Sequence, residues 1–283
     1  ADSFRGMSAL GTWRVMVHDR AAGDTGVITD AWLDFYGSAN TINDVYSFTD
    51  DFAMLRNLQT GRRVIDDTNG GVDWLNFAAV SGTLSVSMVA GGAIRVNGTT
   101  LATLATGVTD FERLQAGDGA DVLTGNALAN MIYGGRGSDR INGGAGNDLY
   151  EVDDANDMVI EALNAGNDTV NAWVSHTLSD NVEVLRLFGT HDVDGTGNAL
   201  SNILHGNEST LVFGGDNVLR GLGGNDTLFG YNGFDTLDGG TGNDVMHGGT
   251  GDDLFIVDSV GDQVIELANG GTDTVAASIN YIL

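Results

Sequence analysis

Five aspartates recur at intervals of nine residues towards the end of the chain, at Asp226, Asp235, Asp244, Asp253 and Asp262. Each stands two residues before an apolar side chain, and most follow a glycine-rich turn sequence such as GGTGN. Carboxylates beside glycine carbonyl groups provide an all-oxygen set of ligands, which suits a hard divalent cation. The pattern therefore predicts metal binding, and the loose geometry with few waters favours Ca²⁺ over Mg²⁺.

Other chemistries have weaker support in these residues. Zn²⁺ would require His or Cys at ligand spacing, but Cys is absent, and His205 and His247 stand at outward last positions of their units. Neither H-E-x-x-H nor G-x-S-x-G occurs, and the five histidines form no partner pattern. Carboxylates at repeat spacing are better interpreted as cation ligands than as the acid and base of a glycosidase. We predict no catalytic residue in this chain, while an enzyme elsewhere in the parent protein stays open.

The aspartates belong to nine-residue units in two blocks, which begin at Ala116 and Val212. One position of each unit is apolar, at Leu123, Ile132, Ile141, Tyr150 and Val159 in the first block and at Leu219, Leu228, Leu237, Met246, Phe255 and Val264 in the second. Six residues, 206–211, break the frame between the blocks. Flexible linkers keep no such register, so the units are predicted to be folded.

Each unit is expected to combine a turn with a short strand. Consecutive glycines permit positive φ and close backbone approach, and the residues after the aspartate form a strand too short to be stable alone. If nine residues make one turn and one strand, eighteen return the chain to its starting side. Parallel strands then stack in two sheets, and aspartates two units apart lie in adjacent turns at the same edge.

A longer period overlies the short one. Residues 146–178 align without gaps onto 251–283, at an offset of 105 residues, and a third, divergent copy is recognisable at 64–75. Trp74 and Trp173 take corresponding positions in these copies and are expected in the core. The long period predicts two or three similar modules stacked along the chain.

The composition limits the partners of this protein. There are 39 Asp and Glu against 12 Lys and Arg, so the formal charge is -27, and its field disfavours nucleic acid and anionic lipid and favours cations. Hydrophobic residues make up 42% of the chain, which permits a sizeable core. Because Cys is absent, bound metal is the obvious restraint for loops in an extracellular protein of this kind. Neither a membrane span nor a signal peptide is visible.

Units beginning at residues 134, 143, 239 and 248 match G-G-x-G-x-D-x-U-x, the calcium-binding nonapeptide of RTX proteins. On these motifs, most of residues 40–283 resembles the RTX family. The resemblance implies a right-handed parallel β-roll with Ca²⁺ between its turns, in a bacterial protein exported by type I secretion. It further implies an extracellular location, in some members at the cell surface. Family members are often proteases, lipases, toxins, adhesins or surface-layer proteins.

Carried onto this chain, the resemblance implies several Ca²⁺ ions held by pairs of aspartates in adjacent turns. The pairs are Asp121 with Asp139, Asp139 with Asp157, Asp226 with Asp244, Asp235 with Asp253 and, more weakly, Asp244 with Asp262. Asn130 replaces one aspartate and Leu128 one glycine, which argues against a site pairing Asn130 with Asp148. The predicted metal residues are Asp121, Asp139, Asp148, Asp157, Asp226, Asp235, Asp244, Asp253 and Asp262, with Gly117, Gly119, Gly135, Gly137, Gly144, Gly146, Gly224, Gly233, Gly240, Gly242, Gly249 and Gly251.

Two flanking segments carry further resemblances. GVTDFERLQAGDGADVLTGN at 107–126 is similar to the entry into the β-roll of serralysin-type C-terminal regions, and NVEVLRLFGTHDVDGTGNALSN at 181–202 is similar to the spacer between RTX blocks. Leu283 corresponds to Leu178, where the internal copy continues, so the natural protein is expected to extend further.

The first residues follow a different pattern. Alternation at Trp13, Val15 and Val17, followed by a Gly/Asp loop and a second apolar run, predicts a β-hairpin over 11–37. It resembles the final hairpin of the P domain, the β-sandwich that follows the catalytic domain in proprotein convertases and some bacterial subtilisin-like proteases. A lone hairpin is marginal in water, so the missing strands must come from other residues, or the hairpin packs on the roll. A hairpin that merely caps the open end of the roll is an equal alternative.

Together these patterns predict an all-β chain, a right-handed parallel β-roll in two or three stacked modules with an N-terminal antiparallel hairpin or partial sandwich. The predicted domains are a P-domain-like hairpin at 1–37, a divergent entry module at 38–113, a first RTX module with spacer at 114–196 and a second RTX module at 197–283. The predicted function is a calcium-binding module that folds after type I secretion and stabilises a large extracellular bacterial protein, with a protease as the leading candidate. The alternative is a structural surface-layer or adhesin segment that assembles through Ca²⁺. Expected partners are calcium ions, the type I secretion machinery and a catalytic domain of the same parent.

Overall fold

The computed structural model describes residues 43, 45–49, 64–65, 71–107, 110–189, 191–207 and 215–282. Within these ranges the chain forms 24 strands and no helix, which confirms the predicted all-β class. None of the described residues forms a helix that could span a lipid bilayer. The predicted hairpin at 11–37 lies outside the described residues, as does most of the frame break at 206–211.

The strands are numbered in chain order. The first twelve are β1 (Val45–Thr49), β2 (Val64–Ile65), β3 (Asp73–Ala79), β4 (Leu84–Ser87), β5 (Ala93–Val96), β6 (Thr99–Leu104), β7 (Phe111–Gln115), β8 (Val122–Thr124), β9 (Met131–Tyr133), β10 (Arg140–Asn142), β11 (Leu149–Val152) and β12 (Met158–Val159). The others are β13 (Thr169–Ala172), β14 (His176–Thr177), β15 (Val184–Leu187), β16 (Gly195–Thr196), β17 (Ile203–His205), β18 (Val218–Arg220), β19 (Thr227–Asn232), β20 (Thr236–Asp238), β21 (Val245–Thr250), β22 (Leu254–Val257), β23 (Gln263–Ile265) and β24 (Thr274–Ala277).

These strands form three sheets. An eleven-stranded sheet, here called the long sheet, has the order β1-β3-β7-β9-β11-β13-β15-β17-β19-β21-β23. The opposite face consists of a seven-stranded sheet, β12-β10-β8-β4-β5-β6-β2, and a six-stranded sheet, β14-β16-β18-β20-β22-β24. From β7 onwards the chain alternates between the long sheet and the opposite face. The protein is therefore a parallel β-solenoid, as the repeat pattern predicts.

The register of the sheets follows the nine-residue units. In the long sheet Leu228 pairs with Met246, and on the opposite face Leu237 pairs with Phe255. Each partner is eighteen residues further along the chain, so two units complete one circuit of the coil. This register stacks equivalent residues directly above one another, which places the turns of alternate units at the same edge.

The apolar position of the units forms the core between the two faces. At most 1% of the side-chain surface remains exposed at Leu123, Ile132, Ile141, Tyr150, Val159, Leu219, Leu228, Leu237, Met246 and Phe255. The last unit differs, because Val264 is only partly buried against this cluster. Burial of one large side chain per unit explains why strands of three or four residues hold together, since apolar burial stabilises by about 25 cal/mol per Å².

The entry segment departs from the regular coil. Strands β4, β5 and β6 pair antiparallel, whereas β4 pairs parallel with β8 of the first block. The turn between β5 and β6 consists of Asn97 and Gly98, both with positive φ (48° and 73°), as a tight two-residue hairpin turn requires. The Asn-Gly pair is a strong local signal for a hairpin, and it takes precedence here over the parallel pattern.

The two long copies lie on different faces of the coil. Strand β11 belongs to the long sheet, whereas β22, its counterpart at the offset of 105 residues, belongs to the six-stranded sheet. An odd number of half-circuits therefore separates the copies. The long sheet is continuous through the predicted boundary at 196/197, and the boundary at 113/114 falls inside β7. The division into modules stays a prediction.

The expectation that Trp74 and Trp173 belong to the core is wrong. Trp74 is only half-buried, between the buried Asp73 and Leu75, and Arg113 lies over its ring at 5.0 Å from the centroid.

Trp173 is the more exposed of the two. Its side chain is 55% exposed, its ring stacks on Phe188 with centroids 5.3 Å apart, and its Nε1–H donates to Glu151. The inward positions of β13 are taken by Val170 and Ala172, both fully buried. Because side chains alternate along a strand, the next residue faces outward.

Candidate metal centres

The acidic residues occupy the two edges of the solenoid. Turns that lead from the long sheet to the opposite face form the first edge, and turns that lead back form the second edge. At the first edge, the turn residue immediately before the strand is Asp121, Asp139, Asp157, Ser175, Asp194, Asn217, Asp235, Asp253 or Asp273. At the second edge it is Asn130, Asp148, Asp168, Glu183, Asn202, Asp226, Asp244 or Asp262.

Hydrogen bonds join these side chains to the turn one circuit earlier. The backbone N–H of Asp226 donates to Oδ1 of Asp244 at 2.8 Å, and that of Asp235 donates to Oδ1 of Asp253 at 2.8 Å. The same bond links Asp121 to Asp139, Asp139 to Asp157, Asp244 to Asp262 and Asn130 to Asp148, at 2.7–3.0 Å. We call each continuous series an acidic ladder. The ladders bring together every aspartate pair that the resemblance implies.

The second carboxylate oxygen of most ladder aspartates has no hydrogen-bond partner in the described part of the chain. This Oδ2 is buried in Asp121, Asp139, Asp168, Asp226, Asp235, Asp244 and Asp253. A buried ionised oxygen is costly unless it is paired or bound to a metal, and protein polar groups are rarely left in this state. The orphaned oxygens therefore fit a cation between the turns.

Asparagine at the same ladder position needs no such ion. Oδ1 of Asn202 accepts the N–H of Asn198 at 2.7 Å, and its Nδ2 donates to the carbonyl of Val182 at 3.0 Å. Asn130 and Asn217 likewise donate from Nδ2 to backbone carbonyls. The amide nitrogen supplies the positive partner that a carboxylate oxygen lacks. The contrast supports a cation specifically where the ladder residue is aspartate.

Three of the predicted ligands have a hydrogen-bond partner for Oδ2. In Asp148 it is the hydroxyl of Tyr150, at 3.5 Å. In the other two it is the backbone of the same turn. Oδ2 of Asp157 accepts the N–H groups of Asp153 and Asp154, at 3.3 and 3.2 Å. Oδ2 of Asp262 accepts those of Asp258 and Ser259, at 3.2 and 3.0 Å. The carboxylates of Asp157 and Asp262 therefore cap their own turns and leave fewer lone pairs for a cation.

The predicted glycines line the turns. All of them except Gly117 have positive φ, which permits the tight turn. A Cβ on Gly242 would collide with the carbonyl oxygen of Gly224, one circuit earlier, and a Cβ on Gly251 with that of Gly233. These carbonyl groups thus stack directly over the glycines of the next turn. Only glycine allows this close approach.

A further set of glycines was not predicted as part of the site. Each is the first residue of a unit, and its missing Cβ leaves room for Oδ2 of the aspartate of the same unit. They are Gly134, Gly143, Gly221, Gly230, Gly239 and Gly248. The recurrence of glycine at the first position of the motif could have identified these residues. Their φ angles are not positive, so the need for a left-handed backbone conformation does not explain the glycine.

Substituting Gly239 by Ala tests this packing. The new Cβ would overlap the carboxylate of Asp244, which cannot move away without losing its bond from Asp226. Overpacking of this kind costs about 1–3 kcal/mol, so we expect urea denaturation in Ca²⁺ to occur at lower urea concentration. Gly107→Ala is the matched control, because nothing lies within 4 Å of its new Cβ. Equal stability of the two variants would contradict the packing role of Gly239.

Burial also shifts the protonation of the ladder. It raises the pKa of Asp139, Asp148 and Asp235 to about 7, partly offset by the backbone N–H bonds that these carboxylates accept. The pKa values of Asp121 and Asp226 rise to about 6 for the same reason. Neighbouring carboxylates add to the effect, as Asp244 does for Asp226. Without a cation, the folded ladders hold protons close to neutral pH.

Comparison with known proteins agrees with this geometry. The family model of the RTX calcium-binding nonapeptide repeat, in four copies, matches residues 106–127, 124–159, 213–233, 220–255 and 229–264. Comparison with curated proteins gives no match. The parallel β-solenoid with acidic turns thus contains RTX repeats in both blocks, and Ca²⁺ is the ion that such repeats bind. The repeats are a structural rather than a catalytic element.

Four acidic residues outside the nine-residue frame also lie at these edges. They are Glu161, Asp168, Glu266 and Asp273. The nonapeptide pattern does not predict them, because they belong to the segment that follows the last glycine-rich unit of each long copy. The alignment of the two long copies could have identified them, because Glu161 aligns with Glu266 and Asp168 aligns with Asp273.

Proposed function

We propose that this chain is a calcium-dependent folding module of a large extracellular bacterial protein, which stays unfolded during type I export and folds when it meets extracellular Ca²⁺. The observation that carries the proposal is the row of buried Oδ2 atoms, without a partner among the described residues, in the acidic ladders at both edges. Without Ca²⁺ the folded state must bury these charges next to each other or protonate them. With Ca²⁺ each ion neutralises carboxylates and joins two turns.

The energetic consequence is a switch set by calcium concentration. For extracellular sites, Kd is of the order of 10⁻⁴ to 10⁻³ M, so at tenfold excess each ion stabilises the fold by roughly 1.4 kcal/mol. Several such ions together are comparable with the whole stability of a typical domain, about 5–15 kcal/mol. At cytosolic calcium levels this contribution is absent. An unfolded chain is also the form suited to a narrow export channel.

A secreted protease is the parent that we favour. The support is the resemblance of residues 11–37 to the last hairpin of a P domain. In proprotein convertases and some bacterial subtilisin-like proteases, the P domain follows the catalytic domain. In that arrangement the solenoid stabilises the protein and the enzyme lies elsewhere in the same parent.

Far-UV circular dichroism of the full chain during a calcium titration tests the proposal. We expect a cooperative gain of β-structure between micromolar and millimolar Ca²⁺, and little response to Mg²⁺, because the sites offer loose, water-poor oxygen geometry. Removal of Ca²⁺ with a chelator should reverse the change. A native-like spectrum in the calcium-free chain at pH 7.5 would contradict the proposal.

The alternative, a surface-layer or adhesin segment, has one supporting observation. Among the described strands, β23 and β24 each pair on one side only, and Ile265 and Leu267 nearby are 40% and 60% exposed. In this alternative, exposed strand edges of one molecule pair with a turn of another in the presence of Ca²⁺. Light scattering with size-exclusion chromatography in millimolar Ca²⁺ separates the two functions. A folded monomer supports the folding module, and ordered calcium-dependent assembly supports the alternative.

A further inference from the structure

Three buried carboxylates converge where the first repeat block ends. Asp148 precedes β11, Asp168 precedes the neighbouring strand β13, and Glu161 follows β12 on the opposite face. One oxygen from each lies within 4.8 Å of the others. The three side chains are 2%, 0% and 7% exposed. We call Asp148, Glu161 and Asp168 the first triad.

The partners of these carboxylates leave one oxygen unsatisfied. The N–H of Asp148 donates to Oδ1 of Asp168 at 2.8 Å, and the hydroxyl of Tyr150 donates to Glu161. Oδ2 of Asp168 is buried and has no hydrogen-bond partner in the described part of the chain. The hydrogen bonds that these carboxylates accept come from backbone N–H groups and from the neutral hydroxyl of Tyr150, so none of them supplies a positive charge. Ionising all three carboxylates in the interior therefore requires a counter-charge that these partners do not supply, which fits a bound cation.

The same arrangement recurs 105 residues later at the other edge. Asp253, Glu266 and Asp273, here called the second triad, also bring their carboxylate oxygens within 4.8 Å of one another. Oδ2 of Asp253 and Oε1 of Glu266 are buried and have no partner among the described residues. Phe255 stands in the position of Tyr150, so this Glu lacks the hydroxyl donor. The recurrence at opposite edges, with different surroundings, indicates that the shared carboxylates are the essential feature.

The triads differ from the nonapeptide sites in their construction. Ladder pairs in regular units are eighteen residues apart, whereas Asp148 and Asp168 are twenty apart, and the Glu comes from the strand exit between them. The segment after the last glycine-rich unit has no further nonapeptide aspartate to continue the ladder. The Glu and the final Asp thus supply the oxygens that the next repeat would otherwise provide.

We propose that each triad binds one Ca²⁺ ion as a terminal site that closes its repeat block, with Glu161 and Glu266 as ligands outside the nonapeptide motif. The proposal rests on the proposed function, because it takes Ca²⁺ as the ion available to the folded chain. Three carboxylates are a hard, all-oxygen donor set of the kind that Ca²⁺ prefers. The hydroxyl of Tyr150 positions Glu161 in the first site, and the second site lacks this restraint.

Calcium stoichiometry of the full chain tests the proposal. Native mass spectrometry in saturating Ca²⁺, checked by equilibrium dialysis, would compare the wild type with Glu161→Gln, Glu266→Gln and the double variant. We expect one ion fewer in each single variant and two fewer in the double variant. Glu151→Gln is the control, because Glu151 hydrogen-bonds with Asn171 and Trp173 outside the triads and should leave the count unchanged.

The outcomes separate this proposal from the proposed function. Unchanged ion counts in Glu161→Gln and Glu266→Gln chains that are folded by circular dichroism would overturn the triad sites and leave the nonapeptide sites intact. A wild-type chain that binds no Ca²⁺ would overturn the proposed function itself. If Glu161→Gln does not fold, the ion counts of Glu266→Gln and Asp273→Asn test the proposal instead. Both residues are only half-buried, so these substitutions disturb the fold less. An unchanged count in those two variants overturns the proposal.

Discussion

Replacing Asp244 by asparagine is expected to have opposite effects with and without calcium. In Ca²⁺ the variant should be less stable than the wild type, and in a chelator it should be more stable or more structured. The reason is the environment of the side chain: Oδ1 accepts the N–H of Asp226 at 2.8 Å, while Oδ2 is buried without a hydrogen-bond partner among the described residues. A bound ion compensates the burial of the charged Oδ2. Without the ion, that burial destabilises the folded state.

The substitution removes the charge and leaves an oxygen that can still accept a backbone hydrogen bond. Asn202 and Asn217 already occupy ladder positions, accept a backbone N–H through Oδ1 and donate from Nδ2 to a carbonyl. The amide of the variant can adopt such an arrangement without an ion. With calcium bound, losing a site that is filled at tenfold excess removes roughly 1.4 kcal/mol. Since Asp244 lies between the turns of Asp226 and Asp262, two sites are affected.

Urea denaturation of the wild type and the variant, in millimolar Ca²⁺ and in chelator, measures the change in stability under each condition. Where the calcium-free chain is unfolded, the residual β-structure seen by circular dichroism replaces the urea midpoint. Asp180→Asn is the matched control, because Asp180 is exposed and belongs to no acidic ladder. Destabilisation of Asp244→Asn in both conditions would mean that the carboxylate serves packing or hydrogen bonding, and that no ion depends on it.

The regular part of this fold follows from one physical constraint. A turn and a strand that together take nine residues must return after eighteen, and only one apolar side chain per unit can face inward. That is why the pairing of Leu228 with Met246 and the burial of both could be predicted. The contact between Asp226 and Asp244 is a consequence of the same register.

Features that interrupt the period could not be derived in this way. The antiparallel strands around Asn97 and Gly98 depend on a local turn signal, which a search for periods does not weigh. Glu161 comes from a segment without glycine, so its approach to Asp148 and Asp168 depends on how the coil continues after the repeats. The outward position of Trp173 is decided by strand parity beyond the end of β13. Sequence spacing predicts the regular register of the solenoid. These contacts lie where that register is interrupted.

Acid is expected to replace calcium in part. Burial raises the pKa of Asp139, Asp148 and Asp235 to about 7, above the usual value of about 3.9 in an unfolded chain. Between these pH values the calcium-free folded state binds more protons than the unfolded state, so its stability falls as pH rises. The stabilisation is complete below the unfolded pKa and is lost as pH rises through about 6 to 7. This is the reverse of the usual behaviour of aspartates in salt bridges.

Two measurements follow from this competition between protons and Ca²⁺. Calcium-free chain should show more β-structure by circular dichroism at pH 5 than at pH 8. Adding Ca²⁺ to weakly buffered protein should release protons near pH 6, where the folded carboxylates hold them, and none at pH 8. Asp139→Asn should reduce the release, because the pKa of Asp139 is among those raised to about 7, whereas Asp180→Asn should not change it. Calcium-free stability that increases from pH 5 to pH 8 would show that the ladder carboxylates are ionised in the folded chain, and that Ca²⁺ displaces no proton from them.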